Sequence, residues 1–189
     1  ALAGDADALD AFRVGNRAVA RALKKRLGIA SPRWRAFQLA FVLLNLPGLV
    51  NPREPDREIV DLLFFPTGGG KTEAYLGLTA FTLAIRRLQG KVGGYDGSDG
   101  LAVLMRYTLR LLTAQQFQRA TALMCACEMI RRAALEKGDK RWGETPFRIG
   151  LWVGLKTTPN WTDDSHEAVQ QLRGNGFAGA GIQHKALGA

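Results

Sequence analysis

The chain has 189 residues, 47% of them hydrophobic, and a formal net charge of +9. That length and apolar fraction suit one globular domain with a real core and exclude a disordered chain. The positive balance points to a polyanionic partner such as nucleic acid, although the same charge also serves solubility.

The chain opens Ala-Leu-Ala-Gly-Asp-Ala-Asp, acidic and with no visible secretory signal, so a cytoplasmic protein is the expectation. Leu9, Phe12, Val19 and Leu23 recur at helical spacing and predict a first helix over about 6–28. Arg21, Lys24, Lys25 and Arg26 give it a basic last turn that suits the helix dipole. Gly28 and Pro32 punctuate the chain, and a very apolar second helix is predicted over 33–46, ended by Pro47-Gly48. The apolar stretch 36–50 is broken by Gln38 and Asn45 and is too short to span a bilayer, so no membrane role is expected. A polar, Pro-containing loop at 51–57 leads to the apolar run 59–65, which reads as a buried strand.

Next comes Pro66-Thr67-Gly68-Gly69-Gly70-Lys71-Thr72-Glu73, followed by a helical pattern to about Gln89. Strand, Gly-rich turn, Lys-Thr and helix is the order of a phosphate-binding loop. Glycines let backbone N–H groups converge on phosphate oxygens without Cβ obstruction. The following helix adds its positive N-terminal end. In this reading Thr67, Gly68, Gly69, Gly70, Lys71 and Thr72 bind ATP. Lys71 reaches the β- and γ-phosphates, and the Thr72 hydroxyl ligates Mg²⁺. The longer loop pattern wants Gly at position 65, where this chain has Phe. The blander reading is a Gly-rich turn with a solvated lysine. Glu73 carries no assignable chemistry beyond favouring the helix dipole.

Residues 90–100 hold five glycines with Asp and Ser and predict a flexible surface loop. A second strand is predicted at 101–106, then a long helix at about 109–136 with Leu112, Ala120, Leu123, Cys127, Ile130 and Ala134 along one side. Cys125 and Cys127 stand two apart on that helix and point to different faces. Two thiols cannot complete a zinc site, so a pair of buried or half-buried free thiols is expected. A third strand at 147–153 and a short helix at 164–173 precede a Gly/Ala-rich tail from Gly174. His166 and His184 sit in polar segments and read as surface residues. Strands separated by long helices imply βαβ units and a parallel sheet.

Two further phrases bear on function. Arg33-Trp34-Arg35-Ala36-Phe37-Gln38 places an aromatic residue before a glutamine, upstream of the glycine loop. The Gln38 amide offers one donor and one acceptor, the right pair for an adenine edge. A polar residue at the edge of an apolar helix explains it equally well. The phrase from Arg106 to Gln116 begins at the end of the second predicted strand and enters a helix. Thr108, Arg110 and the helix N-terminus are suited to the phosphates of a nucleic-acid strand. The alternative is an amphipathic helix with exposed arginines.

These phrases resemble superfamily 2 helicases: motif I in Pro66–Thr72, the adenine-reading glutamine motif at Gln38, and motif Ia at Thr108–Gln116. The wording of WRAFQLAFVLLNLPGLV, DLLFFPTGGGKTEAYLGL, VLMRYTLRLLTAQQFQRA and IGLWVG further resembles the large helicase of bacterial DISARM phage-defence systems, over about residues 33–154. The resemblance implies a RecA-like P-loop fold, α/β, a three-layer sandwich on a parallel sheet preceded by N-terminal helices. It divides the chain into a helical segment 1–32, a partial ATP-binding lobe 33–173 and an unassigned tail 174–189. It implies ATP and Mg²⁺ as cofactors, DNA as the nucleic acid, and other phage-defence subunits as partners. No acidic pair follows a strand; Asp163-Asp164 lies in a polar stretch, so the carboxylate that holds Mg²⁺ in phosphoryl transfer is missing. The chain therefore reads as the N-terminal part of a longer motor, with no ATP turnover expected from it alone. Two other readings stay open: a P-loop small-molecule ATPase or phosphotransferase, and a non-hydrolysing DNA-docking or complex-assembly module.

Overall fold

The computed structural model describes residues 2, 4–66, 68–107, 110–152 and 161–175. The chain divides into two units, Ala1–Arg148 and Ile149–Ala189. The first unit is built of helices: α1 (Ala6–Leu27), α2 (Ala36–Val50), α3 (Lys71–Gln89) and α4 (Arg110–Glu136). Short 3-10 turns at Pro55–Glu58 and Lys140–Trp142 join it, with a two-residue hairpin of β1 (Lys91–Val92) and β2 (Tyr95–Asp96). The described part of the second unit contains α5 (Thr162–Asn175).

Helix α1 begins where the Asp5 carboxylate accepts from the Ala8 N–H at 2.9 Å, and ends where Gly28, at φ 68°, donates to the Lys24 carbonyl at 2.9 Å. An N-cap aspartate and a left-handed glycine satisfy the orphan groups at either end. Its buried face is Ala8, Ala11, Val14, Gly15, Ala18 and Val19. Those small residues permit a close crossing with α3: a Cβ on Gly15 would lie 3.3 Å from the Phe81 amide nitrogen. Helix α3 supplies the centre of the core through Ala74, Leu76, Ala80, Phe81, Ala84, Ile85 and Leu88. Helix α4 closes the other side with Leu123, Ala126, Cys127 and Ile130. Trp34, just before α2, ties α1 to α3. Its indole donates to Asn16 Oδ1 at 2.5 Å, and its ring fills the space over Gly77, where a Cβ would meet it at 2.8 Å.

The helices match the periodicity to within about two residues at their ends except for α2, which begins at Ala36 rather than 33 and also ends later. Helix α2 runs through Pro47 to Val50, because the Asn51 N–H closes the final turn on the Pro47 carbonyl at 2.9 Å. The glycine-rich segment 90–100, expected as an open loop, contains the hairpin. Gly93 and Gly94, at φ 58° and 88°, turn it, with Lys91 facing Asp96 and Val92 facing Tyr95. Positive φ at both turn residues matches the twist of a tight hairpin.

The expected RecA-like three-layer α/β sandwich is not what the chain forms. The only sheet among the described residues is the antiparallel β1–β2 pair, and no parallel sheet is present there. Segments 59–65, 101–106 and 147–152 form neither helix nor strand; position 153 lies outside the described residues. The reason is burial on one side alone. Leu63, Ala102, Met105 and Phe147 pack against the helical core. Val60, Leu62, Phe64, Leu101 and Leu104 are between 75% and 93% exposed. A short apolar run does not distinguish a doubly covered strand from a segment laid over helices. A strand further requires a neighbour for its N–H and C=O groups. No helix among the described residues is long and apolar enough to cross a membrane.

Candidate functional site

The glycine loop sits at the N-terminus of α3, the most buried helix of the first unit. Gly68 and Gly70 take φ values of 82° and 91°, a region open to glycine at little cost. The Gly69 N–H donates to the Pro66 carbonyl at 3.1 Å, which folds the loop into a turn. Gly69 has no room for a side chain, since its Cβ would fall 2.5 Å from the Phe65 ring. Gly70 is the N-cap of α3 and brings no side-chain cap to the first turn. The positive end of the helix is turned to the loop, with Glu73 of the first turn bringing a carboxylate oxygen beside Gly70.

The start of α2 holds this loop. Gln38 is only 5% exposed. Its Oε1 accepts from the Arg35 N–H at 2.9 Å, capping α2, and its Nε2 donates to the Gly70 carbonyl at 2.7 Å. The Arg35 guanidinium donates to the Gly69 carbonyl at 2.8 Å. The Phe37 and Phe65 rings stack with centroids 3.8 Å apart. The Lys71 ammonium folds back on the Phe65 carbonyl. Thr72 lies beside it in the first turn of α3, partly buried. Gln38, Gly68, Gly69, Gly70, Lys71 and Thr72 are thus brought to one place. Thr67 and Thr108 lie outside the described residues, and Arg110 opens α4 with its side chain outside them too.

Sequence reasoning missed Glu73 and its partners. The Glu73 carboxylate accepts from Arg119 of α4 and, at 3.2 Å, from Arg26 in the last turn of α1. All three side chains are less than a third exposed. Arg26 and Arg119 stand 47 and 46 positions from Glu73, so no local pattern announces the cluster. Arg35, Lys71, Arg26 and Arg119 against the one carboxylate leave the loop region net positive, which suits an anion. Arg119 also lies near Tyr107, the last described residue before α4. Burial raises the Tyr107 phenol above its ordinary pKa, the Arg119 charge opposes that, and Tyr75 adds to it.

A second polar cluster is structural. Arg131 is 4% exposed and donates through Nη1 to the Gly143 and Glu144 carbonyls at 2.7 and 3.3 Å. Glu128 accepts from Arg131, from Arg132 and from the Phe147 N–H. Desolvation pushes the Glu128 carboxyl up, but those hydrogen bonds outweigh it and hold it down at about 2. Arg87 lies over the Phe147 ring at 5.1 Å and donates to the Thr145 carbonyl at 3.0 Å. Burial, then the Arg131 charge, lowers its pKa.

Both cysteines are free; Cys127 is buried as expected, whereas Cys125 is exposed. Burial pushes the Cys127 thiol up to about 12. Asp163 and Asp164 fall in the first turn of α5, where acidic residues complement the helix dipole. His166 is exposed, and His184 lies outside the described residues. No group of three or more metal-ligating side chains occurs among the described residues.

The first unit thus defines a helical protein with a glycine-rich, lysine-ended loop at the head of its central helix. No protein-family model matches the chain. Over 135 residues, 71% of its length, it is 51% identical to the DISARM protein DrmA of Bacillus paralicheniformis. The chain spans about 12% of that relative's length.

Proposed function

We propose that this chain is the ATP-binding part of a helicase or translocase that acts on DNA in phage defence. The carrying observation is the loop between Phe65 and Lys71, with left-handed Gly68 and Gly70 set before an α3 N-terminus that has no side-chain cap. The relationship to the DISARM protein DrmA supports the defence setting. Partnership with other components of such a system is part of the same proposal.

The residues present fit a nucleotide. Gly69 and Gly70 allow the close approach that a phosphate needs, and the surrounding cations outnumber the one carboxylate. Lys71 would leave the Phe65 carbonyl for the β- and γ-phosphate oxygens. Thr72 would offer its hydroxyl to Mg²⁺, which supplies charge neutralisation when bound. Gln38 would keep Gly70 in place with one N–H and turn the other N–H and a free lone pair of Oε1 to adenine. Thr108 and Arg110 would grip a nucleic-acid backbone without reading its sequence.

Titration of ATP into the wild type and Lys71→Ala tests the phosphate role. A charge-assisted contact of about 1.5–3 kcal/mol corresponds to a loss of roughly 10- to 150-fold in affinity. Equal affinity for both proteins would refute it. ATPase activity of the full-length protein that rises on adding DNA separates a motor from a small-molecule ATPase and from a passive docking module.

A further inference from the structure

Between positions 11 and 50 the chain has eight arginines and lysines and no aspartate or glutamate. That stretch carries +8 of the formal net charge of +9, so the rest of the chain is nearly balanced. The excess is organised. Arg13, Arg17, Arg21 and Lys24 of α1 recur every three or four residues. On a helix that spacing sets them within about 80° of arc, with charges about 4.5–6 Å apart along the axis. All four are exposed, as is Lys25 beside them. The buried face of Ala8, Ala11, Ala18 and Val19 lies on the other side, and Arg26 leaves the row for Glu73 at the head of α3. The acidic residues of α1 come earlier and are already engaged. Asp7 and Asp10 meet Arg141 at 3.6 and 3.5 Å, and Asp10 also meets Arg13 at 3.8 Å. Arg17, Arg21, Lys24 and Lys25 form no ion pair among the described residues.

We propose that the outer face of α1, from Arg13 to Lys25, is a binding surface for the sugar–phosphate backbone of a nucleic acid, through residues other than Thr108 and Arg110. The inference rests on the motor reading above for the nature of the polyanion alone. Like charges four apart weaken a helix, and an ordinary solvated face mixes the signs. The helix dipole accounts for Lys24 and Lys25 in the last turn, but not for Arg13, Arg17 and Arg21 before it. A row of phosphates offsets the repulsion along its whole length, and each arginine fork can take two phosphate oxygens. An anionic membrane fits less well. An interfacial helix inserts its apolar side, and that side of α1 is packed in the helical core. Backbone contacts of this kind carry no base information, so binding is indifferent to sequence.

The test follows the anisotropy of labelled oligothymidylate and of a DNA duplex across a KCl series, using the full-length protein without nucleotide. ATP is titrated in parallel. The triple variant Arg17→Gln/Arg21→Gln/Lys24→Gln removes the row at positions where the side chains face solvent. Its log–log salt slope is expected to fall by about 2 units on the single strand and about 2.7 on the duplex, with affinity lower on the order of 100-fold at 0.1 M salt. Arg17→Lys/Arg21→Lys keeps the charge and is expected to keep the slope. Arg53→Gln/Lys137→Gln/Lys140→Gln loses the same charge from exposed positions elsewhere and is expected to bind as the wild type does. A wild-type slope in the α1 triple variant overturns the proposal. So does an equal loss in both triple variants, which marks net charge rather than this face. A wild type without DNA affinity overturns it as well, as does loss of binding to phosphatidylserine vesicles with DNA binding intact. Slope loss confined to the α1 triple variant, in a protein that binds no ATP, supports this surface and removes the motor reading.

Discussion

Replacement of Glu128 by glutamine tests how the last turn of the first unit is held. The Glu128 carboxyl is held at about 2, against 4.5 for the unperturbed group. The group is largely buried, with its side chain 14% exposed, so the shift converts with little solvent discount. A depression of that size corresponds to about 3 kcal/mol of stability at neutral pH. The sign follows from the direction. A lowered folded-state pKa stabilises above the unfolded value, and the stabilisation fades as pH falls from about 4.5 through about 2. Glu128→Gln keeps one acceptor oxygen but leaves the buried Arg131 charge uncompensated. Urea unfolding at pH 7 should show the variant less stable by about 3 kcal/mol, a midpoint shift of roughly 1.5 M for a slope near 2 kcal/mol/M. The gap should halve by about pH 3 and fall below about 1 kcal/mol at pH 2. A variant equal to wild type at pH 7, or a gap that persists undiminished at pH 2, would show that the hydrogen bonds to Arg131, Arg132 and Phe147 do not set the carboxyl's free energy.

Gln38→Ala removes the cap on α2 and the bond to the Gly70 carbonyl. It should lower stability by about 2 kcal/mol and weaken the preference for ATP over GTP more than it weakens triphosphate binding. Nucleotide titrations check this, and equal binding of the two nucleotides by the wild type would remove the adenine role. Iodoacetamide at pH 8 should label exposed Cys125 and leave Cys127 untouched until the chain is unfolded, because burial holds the Cys127 thiol at about 12. Mass spectrometry of the labelled peptides decides it, and equal labelling in the folded state would contradict the burial.

Local chemistry by itself determined the helices and the loop. The first helix is bounded by an aspartate cap and Gly28, and the third begins at Lys71 directly after Gly70. Capping and periodicity act over a few residues, so both ends are legible in the chain. The glycine loop is legible for the same reason, as its conformation depends on Gly68 and Gly70 having no Cβ. Only the tertiary structure decided the rest. The buried stripe of α1 centres on Ala8, Ala11, Gly15 and Ala18 rather than on its large residues, because α3 crosses close by. The runs 59–65 and 101–106 look like strands in isolation, yet their outward residues meet no second layer among the described residues. Gln38 reaches Gly70 across 32 positions, and Glu73 meets Arg119 across 46. Whether an apolar face is covered, and which charge faces a carboxylate, are properties of distant segments folding together. A pattern confined to neighbours carries no record of either.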